Sequence, residues 1–187
     1  EMSASLVGSE MCIRDRYGDE HYFYNYIPYV LICAIVTSVA PALISFNKKE
    51  VEKRTLCSGL SIAKRNYQMA KGCFLVAFGI IALYFITSCI LYKGAMFTAA
   101  GALRLANTVV YALICLAITF FLSSFVKNNN TVNIFVNAFG LGSAFICGVF
   151  VPRQFLADGV IAAGRFFPAY WYVNLSLIHI SEPTRLA

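Results

Sequence analysis

Long apolar runs alternate with short polar segments along most of this chain. Four runs of about 20 residues carry almost no charge, and they cover residues 26–46, 73–92, 105–126 and 132–151. About 20 consecutive apolar residues are needed for a helix to cross the hydrocarbon core of a bilayer. The pattern therefore predicts an all-α, polytopic membrane helix bundle with four spans.

The polar segment 47–72, between the first two predicted spans, is the most basic part of the chain. It holds two acids, Glu50 and Glu52, and seven cations: Lys48, Lys49, Lys53, Arg54, Lys64, Arg65 and Lys71. Short loops rich in Lys and Arg stay on the cytoplasmic side of a membrane. We therefore expect loops 47–72 and 127–131 in the cytoplasm, and the connection that holds Lys93 and Arg104 outside the cell.

The composition agrees with a membrane protein and changes how the charge is interpreted. Hydrophobic residues make up 59% of the chain, charged residues 13%, and the mean hydropathy is +0.70, which excludes an ordinary soluble globular domain. The net charge of +6 would suit nucleic acid, but the cations lie in loops between apolar runs. Orientation in the cell membrane explains them, so the expected partner is the lipid bilayer and not nucleic acid.

Residues for catalysis or metal binding are scarce. The two histidines, His21 and His179, are far apart, and the seven cysteines show no CxxC or Cys/His spacing. The chain has no GxxxxGK[ST] phosphate loop. We therefore expect no catalytic residues, no metal site and no cofactor in this chain. A membrane enzyme acting on lipid is a weak hypothesis, because no nucleophile–base pair or carboxylate pair lies near a span end.

Small and weakly polar residues recur at helical spacing in two of the predicted spans. The third span carries Thr108, Ala112, Cys115, Thr119 and Ser123, and the fourth carries Asn133, Asn137, Gly140, Ala144 and Gly148. Together with Asn107, the asparagines could line a translocation pathway. The alternative is helix–helix or subunit packing, since small residues let helices approach closely in lipid. No ionisable residue falls deep in a predicted span, which argues against a proton relay.

Two further segments differ from plain spans. Residues 58–68 predict a short amphipathic helix capped by Ser58 or Ser61, which could bind a partner or rest on anionic lipid headgroups. The apolar stretch Phe155–Phe167, between Pro152 and Pro168, is too short to cross a bilayer. It predicts a re-entrant or interfacial hairpin, or else a connector to a following span, with the aromatic run 170–172 at headgroup level.

Both tails resemble peptides translated from sequencing-adapter DNA at the edge of an assembled contig. The specific words are Met11-Cys-Ile-Arg-Asp-Arg16 and Ile178-His-Ile-Ser-Glu-Pro-Thr-Arg185. We therefore expect residues 1–16 and 175–187 to be artefactual tails, which are set aside from functional reasoning. The membrane domain is then residues 17–174 of a natural chain that is cut at both ends.

The order of these segments resembles the permease subunit of a type-2 ABC exporter. The resemblance covers most of residues 26–174. It rests on Phe46-Asn-Lys-Lys-Glu-Val-Glu-Lys-Arg-Thr-Leu-Cys-Ser-Gly-Leu-Ser61 followed by Lys71-Gly72, and on Gly148-Val-Phe-Val-Pro152 followed by the apolar hairpin and Phe167-Pro-Ala-Tyr-Trp171. No single piece is specific by itself; their order and spacing carry the resemblance.

The resemblance implies six spans, of which the four here are the second to the fifth. It implies a coupling helix at 58–68 that contacts a separate ATPase, and an extracellular gate in the re-entrant hairpin. The coupling residues would be Ser58, Leu60, Ser61, Lys64, Arg65 and Tyr67, and the gate residues Gly148, Pro152, Phe155, Pro168 and Trp171.

The implied partners are the ATPase, which would bind ATP and Mg²⁺, and a second permease subunit. The alternative is an integral-membrane scaffold or immunity-type protein that binds a partner without transporting.

Overall fold

The computed structural model describes residues 2–59, 61–92, 97, 99–150 and 156–181, with side chains described between residues 23 and 176 except at 56, 99, 100 and 158. Every regular element in these ranges is helical, so the all-α prediction is confirmed for the described part of the chain. The helices are α1 (Met2–Phe46), α2 (Lys49–Cys57), α3 (Ile62–Tyr92), α4 (Ala99–Phe125), α5 (Asn129–Phe135), α6 (Gly142–Ile146), α7 (Asp158–Gly164) and α8 (Pro168–Ser181). A π-helical segment, Val136–Leu141, joins α5 to α6.

Among the described residues, three stretches of helix are long and apolar enough to cross a membrane: Phe23–Phe46, Ile62–Tyr92 and Gly101–Phe125. They contain the first two predicted spans, at 26–46 and 73–92, and all but the last residue of the third, at 105–126. Two helices begin well before the apolar run that they contain. Hydropathy marks where a helix meets lipid, whereas capping and helix propensity decide where the helix begins. The four-span count stays a prediction.

Helix α1 is the centre of the bundle. It contacts α2, α3, α4, α5, the π-helical segment, α6 and α8. In its most apolar 18-residue window 56% of residues are buried, against only 11% in α3. Helix α3 thus stands at the edge of the bundle and presents large apolar side chains such as Leu75 and Phe78 outward. In a bilayer, lipid or a further helix would cover that surface.

The small-residue stripe of the third predicted span faces the interior of the bundle. Thr108, Ala112, Cys115 and Thr119 are all at most 1% exposed. The two threonine hydroxyls donate within their own helix, Thr108 to the Arg104 carbonyl at 2.8 Å and Thr119 to the Cys115 carbonyl at 2.7 Å. Hydroxyls satisfied in this way do not hinder close helix contact.

Residues 129–150 run from one end of the bundle to the other, although they are divided among α5, the π-helical segment and α6. Near the beginning, Lys127 lines a cavity together with Lys48. At the end, the Phe150 ring lies 5.5 Å from the Tyr26 ring and 5.3 Å from the Tyr29 ring. This stretch therefore extends alongside the apolar part of α1.

Candidate functional site

The two basic segments meet at one end of the bundle. A cavity of about 360 Å³ is lined by Ile44, Asn47, Lys48 and Lys49 on one side and by Ser123, Ser124, Val126 and Lys127 on the other. Segments 47–72 and 127–131, which have the same predicted sidedness, are thus neighbours. We call this end, defined by these two segments, the basic end.

The segment predicted to be a separate coupling helix, 58–68, has a different structure. Ser58 directly follows α2, and its Oγ donates to the Thr55 carbonyl at 2.7 Å. Gly59 follows with φ of +74°, a conformation that suits glycine. Ser61 then caps α3, because its Oγ accepts from the Lys64 backbone N–H at 3.3 Å. The short polar helix of this loop is instead α2, and residues 62–68 are the first two turns of α3.

The predicted contact residues do not all face outward. Lys64 is exposed, and so is Tyr67, with 61% of its surface accessible and the Lys71 ammonium 4.4 Å from its ring centroid. Arg65 turns inward: its side chain is 14% exposed and its Nη1 lies 3.7 Å from Glu52 Oε1. Lys64 and Tyr67 are therefore available to a partner, whereas Arg65 links α3 to α2. Leu60 lies outside the described residues.

The predicted gate residues lie toward the opposite end. Gly148 ends α6 in a left-handed conformation, with φ of +83°. The Val149 N–H donates to the Ala144 carbonyl at 2.9 Å and the Gly148 N–H to the Phe145 carbonyl at 3.4 Å, the pattern of a Schellman motif. Gly148 thus has a clear structural role as the stop of this helix.

The remaining predicted gate residues lie on α8 or outside the described part of the chain. Pro168 begins α8, and the exposed Trp171 donates from Nε1 to the Arg165 carbonyl at 3.1 Å. Gly164 brings α7 close to α6, because a Cβ there would lie 3.3 Å from the Ile146 carbonyl oxygen. Pro152 and Phe155 lie outside the described residues, so the prediction of a re-entrant hairpin stays a prediction.

The predicted pathway residues divide into two groups. Asn133 and Asn137 are exposed, whereas Gly140 and Ala144 are buried. A Cβ on Gly140 would lie 3.5 Å from Cys33 Sγ, so the π-helical segment approaches α1 closely there. Asn107 is half-buried, and its Nδ2 donates to the Tyr172 carbonyl at 3.2 Å and to Ser176 Oγ at 3.4 Å.

A buried polar cluster that the sequence did not reveal lies at the end opposite the basic end. We call that end of the bundle the aromatic end. The members of the cluster are Tyr24, Tyr84, Ser88, Arg104, Thr108 and Tyr172. The Tyr24 hydroxyl and Ser88 Oγ are 2.8 Å apart, and the Arg104 Cζ lies 4.6 Å from the Tyr24 ring centroid. The Thr108 and Tyr172 hydroxyls are 3.2 Å apart.

One expectation is corrected by this cluster. Arg104 does not lie in the connection between two spans: it lies on the first turns of α4 and is only 7% exposed. Tyr172 packs inside the bundle, where burial raises the pKa of its phenol to about 12, and its place at headgroup level stays a prediction. A useful signal was the spacing of Arg104, Asn107 and Thr108, which share one face of a helix.

One comparison with known proteins, the one with protein families, agrees with this architecture. Comparison with curated proteins and with solved structures gives no match. A family model described as ABC-2 family transporter protein matches residues 16–180. The matched range contains the three described stretches of helix that are long enough to cross a membrane, the basic end and the aromatic end. The resemblance seen in the sequence is thereby confirmed, and the chain belongs to the ABC-2 family of transporter proteins.

Proposed function

We propose that this chain is the permease subunit of an ATP-binding cassette exporter in the cell membrane. It forms part of the translocation pathway, pairs with a second permease subunit, and couples through the basic end to a separate ATPase that binds ATP and Mg²⁺. Family membership supports the membrane-transport part of this proposal. The observation that supports coupling is the exposure of every loop cation between residues 47 and 72 except Arg65.

Helix α3 provides a direct mechanical connection between the two ends. It is continuous over 31 residues from Ile62 to Tyr92, which corresponds to about 45 Å at 1.5 Å per residue. A partner that grips Lys64 and Tyr67 would act on the first turns of this helix. Ser88 on the same helix contacts Tyr24 at the aromatic end. Movement at the basic end would therefore reach the aromatic end without an intervening hinge.

Transmission of free energy requires more than docking. The ATPase shifts the permease between two conformations only if its contacts differ between them. In our proposal the ATPase tilts α3, residues 132–151 form a fourth span beside α1, and the segment 148–171 opens the outer gate. The ring contacts of Phe150 with Tyr26 and Tyr29 of α1 support the fourth span, because they bring residue 150 close to the aromatic end.

The coupling contact is tested by co-purification with a phosphate-loop ATPase that is co-expressed with this chain. The double variant Lys64→Glu with Tyr67→Ala should abolish recovery of the ATPase, since both side chains are exposed on α3. Lys127→Glu is the matched control, an exposed cation at the same end but on the other segment, and it should retain most of the binding. Normal recovery with the double variant would show that the contact lies elsewhere.

The cytoplasmic orientation is tested with a native thiol. Cys57 is exposed at the end of α2, whereas the other described cysteines are buried or half-buried. With Cys12 replaced by Ser, a membrane-impermeant maleimide should leave intact cells unlabelled and should label Cys57 after permeabilisation. Cys57→Ser should remove that labelling. Strong labelling of Cys57 in intact cells would place the basic end outside and would refute ATPase coupling there.

A further inference from the structure

A groove lies at the basic end, between the last turns of α1, helix α2 and the first turns of α3. Its volume is about 470 Å³. We call it the α1–α3 groove, and its lining residues are of two kinds. Val39, Leu43, Phe46, Met69 and Val76 are among those that form its apolar part. Thr55, Arg65 and Gln68 form a polar edge next to the charged loop.

Arg65 is the unusual member of this lining. Its Nη1 is buried and makes no hydrogen bond within the described part of the chain. The nearest carboxylate oxygen, Glu52 Oε1, is 3.7 Å away, which is too long for a hydrogen bond. The other guanidinium nitrogens, Nε and Nη2, donate to Asn66 Oδ1 at 3.4 Å each. The ion pair with Glu52 partly balances the charge, but a buried charged donor without a hydrogen-bond acceptor is unfavourable, so an acceptor oxygen at this N–H would be stabilising.

We propose that the α1–α3 groove binds one anionic phospholipid from the leaflet on the side of the basic end. An acyl chain lies along the apolar part, and a phosphate oxygen accepts a hydrogen bond from the Arg65 guanidinium, which turns toward the groove so that Nη1 reaches the phosphate. One part of the groove is apolar, and a cation lies next to it where the spans meet the charged loop. A phospholipid has the same arrangement, with apolar acyl chains next to a charged headgroup. This inference requires the membrane location but not the proposed ATPase partner.

Charge complementarity favours a lipid over a second protein helix. The α1–α3 groove opens beside a loop with seven cations and two acids, and basic residues near an anionic leaflet each contribute about 1 kcal/mol of attraction. An apolar helix could fill the apolar part of the groove. It would offer no acceptor to Arg65, because its own backbone carbonyls are already hydrogen-bonded. A phosphate offers free acceptor oxygens and matches the planar guanidinium geometry.

The headgroup contact is tested by native mass spectrometry of the full chain, titrated with phosphatidylglycerol or with diacylglycerol of identical acyl chains, which lacks the phosphate. The wild-type chain should bind one phosphatidylglycerol about tenfold more tightly than diacylglycerol, as expected for one charge-assisted hydrogen bond. Arg65→Met should remove that preference. Lys64→Met, the neighbouring but exposed cation, should keep it. Equal loss in both variants, or retention in Arg65→Met, would overturn the proposal.

A second variant covers the case in which Arg65→Met fails to fold. Glu52→Gln keeps the guanidinium and removes the carboxylate that lies 3.7 Å from it. Binding of phosphatidylglycerol should then tighten several-fold, because the phosphate no longer competes with a nearby anion. Unchanged or weaker binding would overturn the assignment of Arg65 as the headgroup ligand.

The acyl-chain contact is tested with a matched pair of glycines on α3. Gly72 lines the α1–α3 groove and Gly79 does not, yet a Cβ at either position meets no atom within 4 Å. Gly72→Leu should fill the groove and weaken binding of both lipids about tenfold, whereas Gly79→Leu should have no effect. If neither variant alters lipid binding, the groove does not hold a lipid. The same conclusion follows if Gly72→Leu instead disrupts a dimer of this chain that contains no bound lipid.

Discussion

The basic end and the aromatic end of this bundle use cations in opposite ways. At the basic end Lys64, Arg54 and their neighbours are exposed, and Arg65 alone turns inward. At the aromatic end Arg104 is buried among phenols and hydroxyls, with its guanidinium against the Tyr24 ring. The first arrangement leaves charge free for a partner. The second uses charge and hydrogen bonds to hold four helices, α1, α3, α4 and α8, together.

The two ends show that the same sequence pattern, a cation next to an apolar run, can have two different roles. A cation that ends an apolar run can mark a loop, or it can lie inside the bundle as a structural group. Sensitivity to substitution should therefore be high at the aromatic end and low at the basic end when folding is measured. The order should reverse when partner binding is measured. The predictions below compare matched substitutions at the two ends.

The largest difference is expected for reversal of an arginine charge. Arg104→Glu would bring a carboxylate into a buried cluster of phenols and remove the cation–π contact, with a loss of about 3 kcal/mol or more of stability. Arg54→Glu makes the same change at an exposed position of α2 and should alter stability by at most about 0.5 kcal/mol. Thermal unfolding of detergent-purified protein, followed by circular dichroism, measures both. Similar unfolding midpoints for the two variants would contradict the distinction between the ends.

Hydropathy alone predicted the helical class and the first three spans, because long apolar runs have few alternatives in a bilayer. It misplaced Arg104, since a hydropathy window treats any arginine near a span end as part of a loop. Whether such a residue is exposed depends on what the neighbouring helices present. Here Tyr24 comes from α1 and Tyr172 from α8, which are 80 and 68 residues away from Arg104 in the sequence. Contacts of that separation are absent from any local pattern.

The basic loop shows a second limit of sequence reasoning. Most of the segment 47–72 is exposed, and the Ser61 cap of the helix that follows was one of two anticipated. The cytoplasmic location that its charge indicates stays a prediction. The position of the helix break was not predicted, because Gly59 was interpreted as part of a helix and not as a turn with positive φ. The inward orientation of Arg65 depends on its ion pair with Glu52 on a different helix.

An intermediate difference is expected at the two glycines with positive φ. Gly148→Ala and Gly59→Ala place a Cβ in the same left-handed conformation, which costs about 1–2 kcal/mol per residue. At Gly148 that loss should lower global stability, because the Schellman motif fixes the end of α6 beside the buried aromatic end. At Gly59 it should loosen only the turn and α2, which is mostly exposed.

Hydrogen exchange distinguishes these two outcomes, since local opening and global unfolding expose different amides to solvent. In Gly59→Ala, faster exchange should be confined to residues 49–62. In Gly148→Ala, it should extend to slowly exchanging amides of α1 and α4. Faster exchange throughout the bundle in Gly59→Ala would mean that the two ends are not independent in stability.

The smallest difference is expected for removal of a single tyrosine hydroxyl. The Tyr24 hydroxyl is buried and lies 2.8 Å from Ser88 Oγ, so Tyr24→Phe leaves a buried serine without this partner on α1. Side-chain hydrogen bonds between membrane helices contribute about 0.6 kcal/mol on average and up to about 1.7. Tyr67→Phe removes a hydroxyl from an exposed ring at the basic end and should not change stability, although Tyr67→Ala should weaken ATPase recovery.

A double variant, Tyr24→Phe with Ser88→Ala, should be no less stable than either single variant if the two hydroxyls act as one pair. Additive losses would show that each hydroxyl depends on other partners, and the 2.8 Å contact would then not link α1 to α3.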